Sequence, residues 1–202
     1  MQTQANPREG PRRFDGDVRT THSGRMRPGP GEVLHFSEDP TITVFDPHIA
    51  RTARQHEAYV WAVDAEQAPA YWFPRDCPRA LAWVTPDSTP GAVDRIIGPG
   101  GGTRVHAVEY PWLERIRSVQ LFAYRFPARV FQPLDSPAPH AYVATQRLYP
   151  LGPPELVGDL FALHGAAGIQ LRVLRALSVF WAAVTSSSLG FSGIRLRNAA
   201  PS

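Results

Sequence analysis

The chain has no lysine: all 21 of its basic residues are arginine. We read this as the compositional bias of a GC-rich genome. It removes Schiff-base and phosphate-loop lysine mechanisms at once. There is one cysteine, Cys77, so no intramolecular disulfide is available, and no apolar leader segment opens the chain. Together these point to the cytoplasm. No apolar run approaches the roughly 20 residues that span a bilayer, so no membrane partner is expected. No Gly-x-Gly-x-x-Gly follows a strand pattern, and the seven histidines show no His-Glu-x-x-His or other ligand spacing, so no metal is expected. Gly190-Phe191-Ser192-Gly193 is not a Gly-x-Ser-x-Gly elbow, and Pro99-Gly100-Gly101-Gly102-Thr103 lacks the lysine of a phosphate loop. These absences lower the hydrolase and nucleotide-triphosphatase classes. No internal repeat is visible.

What is present is globular in character: 202 residues, 43% hydrophobic and 19% charged, enough for one domain with a core. The net charge of +3 is unevenly placed. Residues 1–30 hold six arginines and three acids, and the remainder holds fifteen of each. The first 30 residues are also poor in large apolar side chains, so we expect a disordered basic tail there and a single domain over 31–202. Met26, just before the patterned sequence, is a candidate translation start. A neutral domain makes nucleic acid an unlikely partner.

From Glu32 onward, short strand patterns come first and helical ones later. Val33–Phe36, Ala58–Val63, Arg79–Val84, Arg104–Glu109, Gln120–Phe126, Tyr142–Arg147 and Ile169–Val173 read as strands. Ala65–Phe73, Gly91–Ile97, Pro111–Ile116, Glu155–His164 and a stripe from Leu177 to Val184 read as helices. Phe191–Asn198 reads as an extended closing segment. The order is that of an α+β domain with a mixed or antiparallel sheet and short helices, the helices richer in the C-terminal third.

Several polar clusters could carry chemistry. His35-x-Ser37-Glu38-Asp39-Pro40 sits where a strand gives way to turn residues. A histidine, a hydroxyl and two carboxylates there can orient a ribose or a phosphate. The same residues also serve simply as a turn beside a core histidine. Tyr71-Trp72-Phe73-Pro74-Arg75-Asp76-Cys77-Pro78-Arg79 sets three aromatics in a row, and at least one should line a cleft or an interface. Its two arginines would favour a Cys77 thiolate, against the ordinary reading of an inert thiol. A third cluster is Glu109-Tyr110-Pro111-Trp112-Leu113-Glu114-Arg115, in which Glu109, at a strand end, is a candidate general base or a carboxylate at a helix terminus. Arg195 and Arg197, near the C-terminus, could hold phosphates or pair with Glu38, Asp39 or Glu109.

Four stretches taken together resemble an uncharacterised bacterial family, a domain of unknown function, over about residues 32–199. They are Leu34-His35-Phe36-Ser37-Glu38-Asp39-Pro40-x-Ile42, Val60-Trp61-Ala62-Val63-Asp64, Phe73-Pro74-Arg75-Asp76-Cys77-Pro78-Arg79 and Phe191-Ser192-Gly193-Ile194-Arg195-Leu196-Arg197-Asn198. A looser resemblance is to the ADP-ribosyltransferase-like fold. Its first strand ends in a residue that touches a ribose of NAD, its second carries an aromatic, and a later strand brings a glutamate to the nicotinamide end. Here the corresponding order is His35, then Tyr59 or Trp61 before Asp64, then the strand near Tyr142. The chain departs from that pattern at His140-Ala141-Tyr142-Val143, which has no glutamate.

The resemblance implies a nucleotide- or NAD-binding domain that could carry transferase activity, with His35 and Glu109 as candidate catalytic residues. His35 and Ser37 would hydrogen-bond a ribose, Trp61 or Tyr71 would stack on a ring, and Arg75, Arg195 or Arg197 would neutralise phosphate. NAD is the candidate cofactor, and a nucleotide or other small molecule the candidate ligand. The alternative is a non-catalytic scaffold or interaction domain, its polar motifs forming an internal network. Whether the chain is an enzyme is left open by its residues.

Overall fold

The computed structural model describes residues 26–49, 57–100, 102–134 and 140–201. Of the tail expected over residues 1–30, residues 1–25 lie outside the described residues. Met26 and Arg27, counted with that tail above, are docked on the domain. Met26 is 2% exposed, and Arg27 Nη1 donates to the Ala65 carbonyl at 3.0 Å.

Alternating and continuous apolar runs build three small sheets. β1 (Glu32–Ser37), β5 (Phe122–Pro127) and β8 (Glu155–Leu156) form an antiparallel sheet in the order β1-β5-β8. β2 (Val60–Ala62), β7 (Ala141–Ala144) and β6 (Gln132–Leu134) form a second, in the order β2-β7-β6. Pro133, which cannot donate to a ladder, sits in the edge strand β6. The third sheet is mixed, in the order β10-β3-β4-β9, from β3 (Arg79–Trp83), β4 (Arg104–Glu109), β9 (Ile169–Leu174) and β10 (Gly190–Ile194). Only its β4–β9 pair is parallel. Leu34 of β1 also bridges to Val63 just after β2, which joins the first two sheets.

Among the described residues, four short helices complete the architecture. α1 (Pro90–Ala92) is one turn that widens into a π turn over Val93–Ile97, and α2 is Leu113–Ser118. α3 (Leu160–Ala166) and α4 (Ser178–Thr185) are the longest, and both lie in the C-terminal third. The fold is therefore a single α+β domain with mostly antiparallel pairing, as the sequence predicts.

Strand alternation divides the core. Leu34 and Ala123 face a cluster with Trp72, Phe73, Val108, Ile116 and Leu160, which lies between the first sheet, the third sheet and α2–α3. Val33, Tyr124 and Phe126 face the other way, onto Val60, Ala62 and Phe45. β3 and β4 are buried along most of their length because helices and turns cover their second face through Ile96, Ile97, Leu177 and Val184.

Two predicted helices differ. Over 65–73 only a 3-10 turn forms, Ala68–Tyr71. Asp64 Oδ1 does accept the N–H groups of Glu66 and Gln67, but Pro69 has no N–H to continue the ladder and Pro74 stops it. Over 155–164 the first two residues are instead β8, paired to β5. Gly158 turns the chain at φ 83°, and Asp159 then caps α3 by accepting from Phe161 and Ala162.

Candidate functional site

At the end of β1 the chain turns through Ser37, Glu38 and Asp39, and side chains fix that turn. Ser37 Oγ accepts the Asp39 N–H at 3.1 Å. Asp39 Oδ1 accepts from the Thr41 N–H at 2.8 Å and the Thr41 hydroxyl at 2.6 Å, which holds its carboxyl below the usual carboxylate range. The Tyr124 hydroxyl donates to the Asp39 carbonyl at 2.6 Å. Glu38 reaches outward. Its Oε1 accepts the Arg75 N–H at 2.8 Å, and its Oε2 is ion-paired with Arg115 of α2.

These contacts draw three distant segments around one cleft of about 380 Å³, lined by Ser37, Glu38, Asp39, Pro74, Arg75, Asp76, Trp112 and Arg115. Trp112 is half-buried, with part of its ring packed on the core. The Arg75 guanidinium makes no hydrogen bond or ion pair with any described residue. The Arg75 backbone, by contrast, is held at both ends, its N–H on Glu38 and its carbonyl accepting from Arg195 Nε at 3.3 Å. Asn198 Nδ2 donates to the Asp76 carbonyl at 2.8 Å, and Arg195 Nε lies 3.8 Å from Asp76 Oδ1. The C-terminal segment thus grips the backbone of the 75–76 loop and leaves the Arg75 side chain to the cleft. Residues 34–199 match DUF6886, described as a family of unknown function.

The chain belongs to this family. No curated protein and no solved structure matches it. The matched span of this DUF6886 chain contains all three segments of the cleft and the C-terminal segment behind it.

The residues singled out from sequence fall into two groups. Ser37 and Arg75 line the cleft. His35 does not line it but shares a strand face with Ser37, two positions away. Its Nδ1–H donates to the Trp61 carbonyl at 2.8 Å, and its ring stands edge-on to Phe45. Burial pushes the imidazole down to about 4 against the hydrogen bond that opposes it, and the charges of Arg75 and His48 push it further. At neutral pH the ring is uncharged, with Nε2 as a hydrogen-bond acceptor. Arg195 forms the wall behind Arg75, at φ 56°, and Arg197 is exposed in the turn Leu196–Asn198.

The second group lies away from the cleft. The Trp61 ring stacks edge-on against Tyr59. Tyr71 sits beneath Arg79, and burial raises its hydroxyl. Glu109 is 2% exposed, and its two oxygens accept the N–H groups of Leu177 and Ala200, each at 2.9 Å. Leu177 is the residue that opens α4, so Glu109 occupies the helix-terminus role rather than the general-base one. Cys77 is fully buried, and burial pushes its thiol up to about 12 despite the nearby Arg79. Arg79 donates to the Ala70 and Cys77 carbonyls and is drawn down to about 10 by burial.

Sequence reasoning named Glu38 and Asp39 as the carboxylates of the His35 cluster but gave Asp76, Trp112 and Arg115 no role of their own. The first three stand inside the quoted motifs, so adjacency to Ser37 and Arg75 was the available signal. Trp112 and Arg115 stand in the Glu109 cluster, but nothing there points to the Arg115 partner, Glu38, 77 residues away. Among the described residues no group of three or more histidines, cysteines or carboxylates is arranged for a metal ion.

Proposed function

We propose that the Ser37–Arg75–Trp112 cleft binds a ribonucleotide, the class to which NAD belongs. The observation that carries this reading is the Arg75 guanidinium, which has no partner among the described residues, in a cleft that also offers an aromatic ring, a hydroxyl and carboxylates. Each part of a ribonucleotide has a counterpart there. Phosphate oxygens accept from guanidinium, ribose hydroxyls donate to carboxylates such as Asp39, and a base lies against an indole. The resemblance of the His35 strand to the ribose-contacting strand of ADP-ribosyltransferase-like folds points the same way. Because Glu109 is committed to backbone N–H groups, the reading is one of binding, and no transfer step is assigned.

A second reading has its own observation. Arg195, Asn198 and Glu109 all hold backbone, so the motifs can be an internal lock in a scaffold with no ligand. Calorimetric titration of the full chain with NAD and ADP-ribose separates the two, with Arg75→Ala as control. Micromolar binding, about −8 kcal/mol, that weakens in the variant supports the cleft. No heat at millimolar ligand, or binding indifferent to Arg75→Ala, removes the ribonucleotide reading and leaves the scaffold.

A further inference from the structure

The charges around the cleft are arranged in a way that binding alone does not explain. Arg115 faces the cleft but is paired with Glu38, and Asp76 lies near Arg195. Asp39 is tied into its own turn by Thr41. Among the described residues Arg75 is therefore the one cation of the lining without a carboxylate against it. Glu38 holds an unusual place in this set. One oxygen positions the Arg75 backbone and the other engages the guanidinium of Arg115. Its side chain is 28% exposed and that of Arg115 is 54% exposed, so the pair is reachable from solvent.

We infer that Glu38 is a built-in competitor for an anion: a pyrophosphate-type group docks on Arg75 and takes Arg115 over from Glu38. The inference rests on the reading of the cleft as a ligand site and adds the charge class of the ligand and the residue that sets its affinity. The physical reason is exchange. A phosphate oxygen and a carboxylate oxygen offer Arg115 equivalent charge-assisted bonds, so the first guanidinium is gained outright while the second is gained only against Glu38. Affinity is therefore held below what two free arginines would give, and discrimination favours a doubly charged group that spans both.

Glu38→Gln tests this directly. A glutamine oxygen still accepts the Arg75 N–H, so the loop keeps its support while the competition for Arg115 weakens. The full chain and the variant are titrated with ADP, adenosine and inorganic pyrophosphate, with the urea midpoint as the check on folding. The variant is expected to bind ADP and pyrophosphate about tenfold more tightly and adenosine unchanged. The gain should shrink as salt rises from low to moderate concentration. Arg115→Ala should weaken ADP and abolish the gain when combined with Glu38→Gln. If wild type binds ADP but Glu38→Gln leaves that affinity unchanged or weaker, the competitor role is overturned and the ribonucleotide reading survives. If pyrophosphate tightens while no nucleotide binds, the competitor role stands and the ribonucleotide reading fails. No binding of either anion by wild type or variant overturns both.

Discussion

Arg75 and Arg79 stand on either side of Cys77, and their surroundings could hardly differ more. Arg75 is exposed at the cleft, its guanidinium without a partner among the described residues. Arg79 is 3% exposed, its Nε and Nη1 on the carbonyls of Ala70 and Cys77 and its plane against Phe73 and Tyr71. The same division separates the cleft from the polar layer buried beneath it. In that layer Glu109 takes two backbone N–H groups. His164 donates from Nδ1 to the Leu160 carbonyl and accepts at Nε2 from His106 Nδ1 at 3.1 Å. Glu109 and Arg79 complete the backbone, as Ser37 and Glu38 do at the cleft, while the His106–His164 pair bonds ring to ring and the Arg75 guanidinium has no partner among the described residues. A titratable residue in a motif is thus no guide to chemistry until its partners are known.

The strongest way to break this comparison is to remove a buried member. Glu109→Ala would leave the Leu177 and Ala200 N–H groups without their acceptor and should cost about 3–5 kcal/mol in urea unfolding. Arg79→Met should cost about 3 kcal/mol by the same reasoning. A loss under about 1 kcal/mol in either would show that the layer is not structural.

The buried histidine pair makes the second prediction. Burial lowers His106 well below its usual value and His164 from 6.5 to about 4, so both are neutral in the fold and the unfolded chain binds the extra protons. Their contributions are therefore intact above the unfolded value of 6.5 and are lost as pH falls below it, that of His164 toward about 4. Stability should decline by about 1.4 kcal/mol per pH unit for each ring through that window. Following the urea midpoint from pH 7.5 to 5 checks this. A His106→Leu, His164→Leu double variant should show a clearly flatter profile. An equally steep profile in the variant would place the acid sensitivity elsewhere.

How much of this could be read from residues alone follows the same line. Ser37 and Arg75 were legible because each stands in a short polar run beside turn residues, and such runs end up at surfaces. Most strands were legible because short apolar runs are buried on one face or both, as at Val33 and Leu34 of β1, which enter different core clusters. The helix expected from Glu155 was not. Leu156, Leu160 and Leu163 fit a helical period, yet Leu156 is exposed on β8 and only the latter two enter the core. Periodicity cannot see the turn at Gly158 that separates them. Nor can spacing reveal the His106–His164 contact across 58 residues. Pairing over such distances is a property of the fold.

On the cleft side the expected effects on stability are small, which is what sharpens the contrast. Arg75→Ala should change unfolding by less than about 0.5 kcal/mol, because no described residue loses a side-chain partner. Paired with Arg79→Met in one urea series, it should separate two arginines that the sequence presents as equivalents. Similar losses in both would mean that the Arg75 side chain is part of the packing.

The smallest effect is expected at Arg195, which stands between the two regions. Its φ of 56° is a left-handed conformation that costs a non-glycine residue about 1 kcal/mol. Arg195→Gly relieves that strain while giving up the 3.3 Å bond to the Arg75 carbonyl and adding freedom to the unfolded chain. These contributions oppose one another, so net stability should stay within about 0.5 kcal/mol of wild type. Arg195→Ala keeps the strain and loses the bond, and should fall about 1 kcal/mol below the glycine variant. That order tests the backbone conformation, and affinity tests the side chain. If Arg195→Gly weakens ADP binding at unchanged stability, the C-terminal segment serves the cleft by holding the Arg75 loop in place. If affinity is untouched, the segment belongs with the buried layer, and Glu38 alone supports Arg75.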